Sequence, residues 1–356
     1  MSKSIISKSF IPLTLKKMLR VFRRFTRTKV AIDLGTANTL IYCVNEGVVL
    51  NEPSVVAVRE VDGELVVEAV GEHAKQMIGR APEKMQIVRP LKDGVISNFD
   101  LAYMMLKGFL DKAFQGSIGF LPKKVIIGTP SGATSVERRA IKESVEGDVE
   151  LIPEPLAAAI GAGLPIGNPS GNMIIDIGGG TTEMAVIALG GIVSCNSFKI
   201  AGDTMDEAII NIIKKNYHVL VGYTIAENIK KKLGTALLLD LDNDTMEVKG
   251  RDFITGMPKS IQIERQMVCN ALSMLCLQIV EEVKITLSNI DPVLSADIMN
   301  NGITLTGGGA LLTNLDVFMS RELGIKVFVA IDPLYSVVRG LGKILENKNI
   351  TDITYG

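Results

Sequence analysis

Two copies of one short pattern lie 143 positions apart, at residues 30–41 and 173–184. Each copy has a hydrophobic strand, then Asp-x-Gly, a turn of small residues and a second hydrophobic strand, with Asp33 in the first and Asp176 in the second. The glycine and threonine residues beside each carboxylate leave backbone N–H groups accessible to a phosphate. Two such turns facing each other would hold a polyphosphate, with both aspartates around a hydrated Mg²⁺. The duplication therefore predicts two similar lobes with a nucleotide between them.

A single copy is also consistent with an ordinary β-hairpin that has Gly and Asn at its tip. The second copy, together with a third glycine-rich turn at 307–309, argues against that interpretation. The length of 356 residues predicts more than one domain, and the hydrophobic content of 47% is sufficient for buried cores.

Several classes of protein are disfavoured by the composition. No run of about 18 uncharged apolar residues predicts a membrane span. The four cysteines are scattered and no secretory signal precedes them, so we expect reduced thiols in a cytoplasmic protein. With only two histidines, a His-based zinc site and a Ser-His triad are both disfavoured.

The N-terminus differs in charge from the rest of the chain. Residues 1–32 contain nine basic residues and no acidic one, which leaves 29 basic and 39 acidic residues, a net charge of −10, for the remainder. The acidic body would repel nucleic acid, so no nucleic-acid partner is expected.

The basic segment has helical periodicity from residue 11 to residue 27. An apolar stripe backed by a basic face is typical of a helix that lies in a membrane interface. An organelle transit peptide and a helix docked on the protein's own body are the alternatives. The predicted membrane-binding residues are Leu15, Leu19 and Phe22 on the apolar face and Lys16, Arg20 and Arg23 on the basic face.

The rest of the chain reads as two lobes, each with a strand hairpin, further strands and helices, and one insertion. A helix is predicted to begin at Ala310, after the third glycine turn. The predicted divisions are a basic segment at 1–28, a first lobe at 29–165 with an insertion at about 54–90, a second lobe at 166–347 with an insertion at about 204–265, and a tail at 348–356.

Glu137 has two interpretations. Thr134-x-x-Glu137 is the pattern of a capping box, in which the carboxylate satisfies backbone donors at a helix start. The same carboxylate could instead orient or deprotonate a water for attack on a terminal phosphate.

Other positions also have two readings. Glu227 and Lys230 are spaced as a surface ion pair, but they could reach a ribose or a base. Gly202-Asp203 follows a strand and could close the phosphate site from one side. The pair Phe120-Leu121 could be buried under a helix, or form a second membrane contact at an exposed loop tip.

Longer motifs resemble the MreB family of bacterial actin homologues, over about residues 29 to 347. The motifs that carry the resemblance are Asp33-Leu34-Gly35-Thr36-Ala37-Asn38-Thr39-Leu40, Asn51-Glu52-Pro53-Ser54, Arg89-Pro90-Leu91-Lys92-Asp93-Gly94, Glu137-Arg138-Arg139-Ala140, Glu154-Pro155-Leu156-Ala157-Ala158-Ala159, Asp176–Glu183, Gly250-Arg251-Asp252 and Leu305-Thr306-Gly307-Gly308-Gly309-Ala310.

The resemblance implies an α/β, actin-like fold of duplicated RNase H-like lobes, with four subdomains and a nucleotide cleft between the lobes. It implies binding of ATP or ADP with Mg²⁺, held through water by Asp33 and Asp176, and slow ATP hydrolysis with Glu137 orienting the water. The residues implied to bind the nucleotide are Gly35, Thr36, Ala37, Asn38, Gly178, Gly179, Gly180, Thr181, Gly202, Asp203, Glu227, Asn228, Ile229, Lys230, Gly307, Gly308, Gly309 and Ala310.

The resemblance also implies self-assembly into antiparallel double filaments on the inner face of the cell membrane. The N-terminal helix and Phe120-Leu121 would attach them there, and membrane proteins of the shape or division machinery would be partners. A small-molecule kinase of the same ATPase superfamily is the alternative function.

Overall fold

The computed structural model describes residues 29–114, 122, 124–239 and 244–347. The predicted membrane contacts in the N-terminal segment, the pair Phe120-Leu121 and the tail 348–356 lie outside these residues. Among the described residues, no helix is long and apolar enough to cross a membrane.

The described strands are β1 Lys29–Leu34, β2 Asn38–Cys43, β3 Gly47–Pro53, β4 Val56–Val61, β5 Glu64–Val70, β6 Met85–Val88, β7 Leu91–Lys92, β8 Val95–Ile96, β9 Lys124–Thr129, β10 Asp148–Pro153, β11 Asn172–Ile177, β12 Thr182–Ala188, β13 Gly191–Phe198, β14 Val219–Leu220, β15 Thr245–Asp252, β16 Pro258–Glu264, β17 Ile303–Thr306 and β18 Val327–Val329. The described helices are α1 Glu72–Gln76, α2 Phe99–Ala113, α3 Ser135–Glu143, α4 Glu154–Ala162, α5 Gly202–Tyr217, α6 Tyr223–Leu233, α7 Arg265–Ser288, α8 Pro292–Asn301, α9 Leu315–Leu323 and α10 Ser336–Glu346, with 3₁₀ turns at Gly308–Leu311 and Pro333–Tyr335.

Two five-stranded sheets share one topology. The first has the order β10-β9-β1-β2-β3, and the second, read from the corresponding edge, has the order β18-β17-β11-β12-β13. In the first sheet, β1 pairs antiparallel with β2 and parallel with β9. In the second sheet, β11 pairs antiparallel with β12 and parallel with β17. The duplication predicted from the two Asp-x-Gly patterns is therefore present in the strand order itself.

Burial explains why the central strands are nearly continuous apolar runs. Every residue of β11 and β12 is buried, because helices cover both faces of that part of the sheet. Two apolar clusters fill the lobes, and a third lies between the sheets on α4 and α10. The C-terminal helix α10, which the sequence assigned to the second lobe, thus packs against α4 and against β1 of the first sheet.

Each lobe carries a small antiparallel sheet in its predicted insertion. The strands β5-β4-β6 form the one in the first lobe, and β14-β15-β16 form the one in the second.

One predicted helix start is wrong. The chain from Gly308 to Leu311 forms a 3₁₀ turn, and the α-helix begins only at Leu315. The tight turn follows from packing, since a Cβ on Gly309 would overlap the side chain of Ile177.

Candidate nucleotide-binding site

A cleft of about 430 Å³ lies between the two lobes, where the strands β1 and β11 end. Both Asp-x-Gly turns, the glycine turn after β17 and the start of α5 line it. The predicted residues that line this cleft are Asp33, Gly35, Thr36, Ala37, Asn38, Asp176, Gly178, Gly179, Gly180, Thr181, Gly202, Asp203, Glu227, Lys230, Gly307, Gly308 and Gly309.

The two turns face each other directly. A Cβ on Gly179 would lie 2.6 Å from the Cβ of Ala37, and one on Gly180 would lie 2.9 Å from Oγ1 of Thr36. Such distances are too short for any side chain, so glycine is required where the lobes meet. Glycine at these two positions keeps Cβ atoms out of the space in which an anion would meet backbone N–H groups.

Ser54, which is fully buried, stabilises the first turn through two hydrogen bonds. Its hydroxyl donates to the carbonyl oxygen of Gly35 at 2.6 Å, and its backbone N–H donates to the carbonyl of Ala37 at 2.9 Å. These two bonds hold the backbone of the first turn in place.

Acidic side chains cluster at the base of the cleft. Burial, with the neighbouring charge of Asp176, raises the pKa of Asp33 to about 8, and burial raises the pKa of Asp176 to about 7. The pKa of Glu154 is raised well above its usual range by burial and by the charges of Glu183, Asp33 and Asp176. A cation nearby would relieve this repulsion.

No direct metal cage is built from these groups. Within the described residues, no three carboxylate, thiolate or imidazole side chains converge closely enough to enclose an ion. Mg²⁺ beside phosphates commonly keeps several waters, and such an ion does not need a cage of three side chains.

Glu137 does not line this cleft. Its carboxylate accepts hydrogen bonds from the backbone N–H of Thr134 at 2.7 Å and from the Thr134 hydroxyl at 2.9 Å, while Thr134 Oγ1 accepts from the Glu137 N–H. The capping box read from the sequence is therefore formed, at the start of α3.

Glu154 is a site residue that the sequence reading did not single out. It is the first residue of α4, lines the cleft, and is close enough to Asp33 and Asp176 for their charges to raise its pKa. The sequence contains a signal for this residue, because Glu154-Pro155 begins one of the motifs that carry the family resemblance described above.

The expected ion pair between Glu227 and Lys230 is wrong. Lys230 instead contacts Asp206 at 2.8 Å and donates to the carbonyl of Gly202 at 2.6 Å. Glu227 pairs with Lys75 and Lys231, each at 2.6 Å. Burial alone would raise the pKa of Glu227, but the hydrogen bonds from both lysines lower it to about 2.

Three residues that were predicted to bind the nucleotide do not line the cleft. Asn228 does not face the cleft, and Ile229 and Ala310 are buried in the core of the second lobe. Conversely, Lys75 and Arg89 line the cleft although only Arg89 stood in a recognised motif. Both residues belong to the first lobe and form ion pairs with residues of the second lobe. Such contacts cannot be predicted from a local sequence pattern.

Comparison with known proteins decides the family. The family model described as MreB/Mbl protein matches residues 27–353 of this chain. The chain belongs to the MreB/Mbl family. Two similar relatives are the cell shape-determining protein MreB of Escherichia coli strain K12, 47% identical over 92% of this chain and 96% of the relative, and the cell shape-determining protein Mbl of Bacillus subtilis strain 168, 45% identical over 89% and 96%.

The MreB/Mbl membership agrees with the three-dimensional comparison. MreB 5 of Spiroplasma citri, solved with AMPPNP bound, superimposes with a TM-score of 0.84 at 37% identity, over 92% of this chain and 98% of that one. The MamK double helical filament, at 22% identity and a TM-score of 0.73 over 90% of this chain and 99% of that one, shares the fold. The actin-like α/β fold expected from the sequence is confirmed.

Proposed function

We propose that this MreB/Mbl protein is an ATP-dependent cytoskeletal protein that polymerises into membrane-associated double filaments and governs cell shape. The pair of facing glycine turns over a carboxylate cluster carries the proposal, because it fits a polyphosphate with a hydrated Mg²⁺. Related proteins named as cell shape-determining, and MreB5 structures solved with AMPPNP and with ADP, support it.

Each part of the cleft then has a role toward the nucleotide. When bound, ATP supplies the phosphoanhydride bond and Mg²⁺ neutralises charge on the phosphates. The turns at Thr36–Asn38 and Gly179–Thr181 donate backbone N–H groups to the phosphates, and Asp33 and Asp176 hold waters of the metal. Lys230 and the glycine turn at 307–309 flank the nucleoside.

For hydrolysis, we assign the orientation of the attacking water to Glu154. The sequence resemblance implies this task for Glu137, and its capping bonds to Thr134 are compatible with it, but Glu137 does not line the cleft whereas Glu154 does. Glu154 lines the cleft, and burial together with the charges of Glu183, Asp33 and Asp176 raises its pKa well above its usual range. Positioning and electrostatic neutralisation supply the rest of the catalysis.

Pelleting and light scattering of the purified chain with Mg²⁺ and ATP, ADP or no nucleotide test the proposal. We expect filaments with ATP, fewer with ADP and none when EDTA removes the metal. Phosphorylation of a sugar or small acid, without filaments, would instead establish the kinase.

The membrane part needs its own measurement, namely co-sedimentation with vesicles that contain anionic lipid. Deletion of residues 1–28 should weaken binding strongly, and replacing Phe120 and Leu121 by serine should weaken it further. Unchanged binding of both variants would remove these segments from the function.

A further inference from the structure

A short chain of side-chain hydrogen bonds leads out of the nucleotide cleft. Asn38, in the first phosphate turn, donates from Nδ2 to Oδ1 of Asn51 at 2.8 Å. Asn51 in turn donates from its own Nδ2 to the hydroxyl oxygen of Tyr335 at 3.3 Å. Asn51 lies on the edge strand β3, and Tyr335 ends the 3₁₀ turn that precedes α10. Asn51 thus links Asn38 to Tyr335, a residue 284 positions beyond Asn51 itself.

The turn that carries Tyr335 also contacts the second lobe. The carbonyl oxygen of Pro333 accepts from the backbone N–H of Gly307 at 3.1 Å and from the Thr306 hydroxyl at 2.9 Å. Tyr335 is itself held in place, since the guanidinium of Arg339 stacks on its ring at 5.4 Å. The 3₁₀ turn therefore joins the phosphate turn of one lobe to the glycine turn of the other.

In the arrangement of the structure, these hydrogen bonds turn one N–H of the Asn38 amide toward Asn51. A side-chain amide has one acceptor oxygen and two N–H donors, and it can be rotated by half a turn at little steric cost. Because Tyr335 accepts from Asn51, the Asn51 oxygen is the atom turned toward Asn38. That oxygen holds one N–H of Asn38 and leaves the second N–H for another acceptor.

We propose that Asn51 and Tyr335 are positioning residues that orient the Asn38 amide so that its second N–H donates to a nucleotide phosphate. Neither residue reaches the phosphates itself; both act through Asn38. The inference rests on the proposed nucleotide binding of the cleft. It assigns a function to Asn51 and Tyr335 that their location outside the phosphate turns does not suggest.

Affinity for AMPPNP, a non-hydrolysable ATP analogue, measured by calorimetry on the full chain, tests the proposal. Tyr335→Phe removes only the hydroxyl and keeps the ring under Arg339, and Asn51→Ala removes the connecting amide. Each should weaken AMPPNP binding by about threefold to tenfold, the effect of one hydrogen bond. Tyr42→Phe is the matched control, because the Tyr42 hydroxyl donates to Glu346 and not to this chain of hydrogen bonds.

A double-mutant cycle separates positioning from a merely structural role. In an Asn38→Ala background, Tyr335→Phe and Asn51→Ala should cause no further loss, since the group they orient is gone. The same loss in both backgrounds, or unchanged affinity of the single variants, would overturn the inference alone. Failure of the wild-type chain to bind AMPPNP would overturn the proposed function as well.

Discussion

Glu137 and Glu154 are two carboxylates with separable tasks, and substitution distinguishes them. Glu154→Gln keeps the size of the side chain but removes the ionisable carboxyl group, so phosphate release should fall at least tenfold while AMPPNP binding stays within about threefold. A malachite-green assay of phosphate and calorimetry of AMPPNP give the two numbers. Retention of full phosphate release by Glu154→Gln would reject the assignment.

Glu137 should behave as a helix cap. Glu137→Ala removes the acceptor for two donors of Thr134, which should lower the free energy of unfolding by about 1 kcal/mol. Thermal unfolding should show this loss, and phosphate release from the folded protein should remain close to that of the wild type. Loss of release without loss of stability would return the catalytic role to Glu137.

Two helices cross with their backbones in contact, α4 and α10. A Cβ on Gly161 would overlap the carbonyl oxygen of Ser336, and one on Gly340 would overlap the carbonyl oxygen of Ala157. Glycine costs about 1 kcal/mol relative to alanine inside a helix, so intrinsic propensity alone favours Gly340→Ala. A clash with backbone cannot be relieved by a rotamer change, and overpacking of this kind costs about 1–3 kcal/mol.

We therefore expect Gly340→Ala to lower the midpoint of thermal unfolding by several degrees. Gly108→Ala in α2 is the matched control, because its nearest neighbours are the methyl groups of Val70 at 3.2 Å, which can shift. That control should change the midpoint little. Equal midpoints for the two variants would mean that the helices can separate without loss.

Local patterns in the sequence were sufficient for most elements but not for contacts between lobes. The two predicted strand hairpins are present as β1–β2 and β11–β12, because each is a pair of apolar runs joined by a turn of small residues. The helix expected at Ala310 is a 3₁₀ turn, since Ile177 from another strand leaves no space. One partner of Glu227 is Lys75, 152 positions away, so spacing along one helix could not identify it.

Among the residues that the structure describes, three ion pairs join the two lobes. Lys75 contacts Glu227 at 2.6 Å, and the other two pairs are Arg89–Asp203 at 3.1 Å and Lys199–Asp93 at 2.8 Å. Lys75 and Glu227 are the least exposed, at 19% and 21%, so water and salt screen this pair least. The two lobes are therefore held together by these ion pairs as well as by the contact between the two glycine turns.

Removal of the Lys75 charge should speed release of the nucleotide. Lys75→Met keeps the side-chain length and removes on the order of 1 kcal/mol of attraction, so we expect about fivefold faster dissociation of a fluorescent ATP analogue in stopped flow. Arg59→Met is the control, because Arg59 pairs with Glu68 inside one small sheet. The pKa of Glu227 is lowered to about 2. Its attraction to Lys75 is therefore complete above about pH 4.5 and is lost only as the pH falls toward 2. The acceleration should therefore be equal at pH 6 and pH 8, and dissociation as slow as in wild type would show that the turns alone retain the nucleotide.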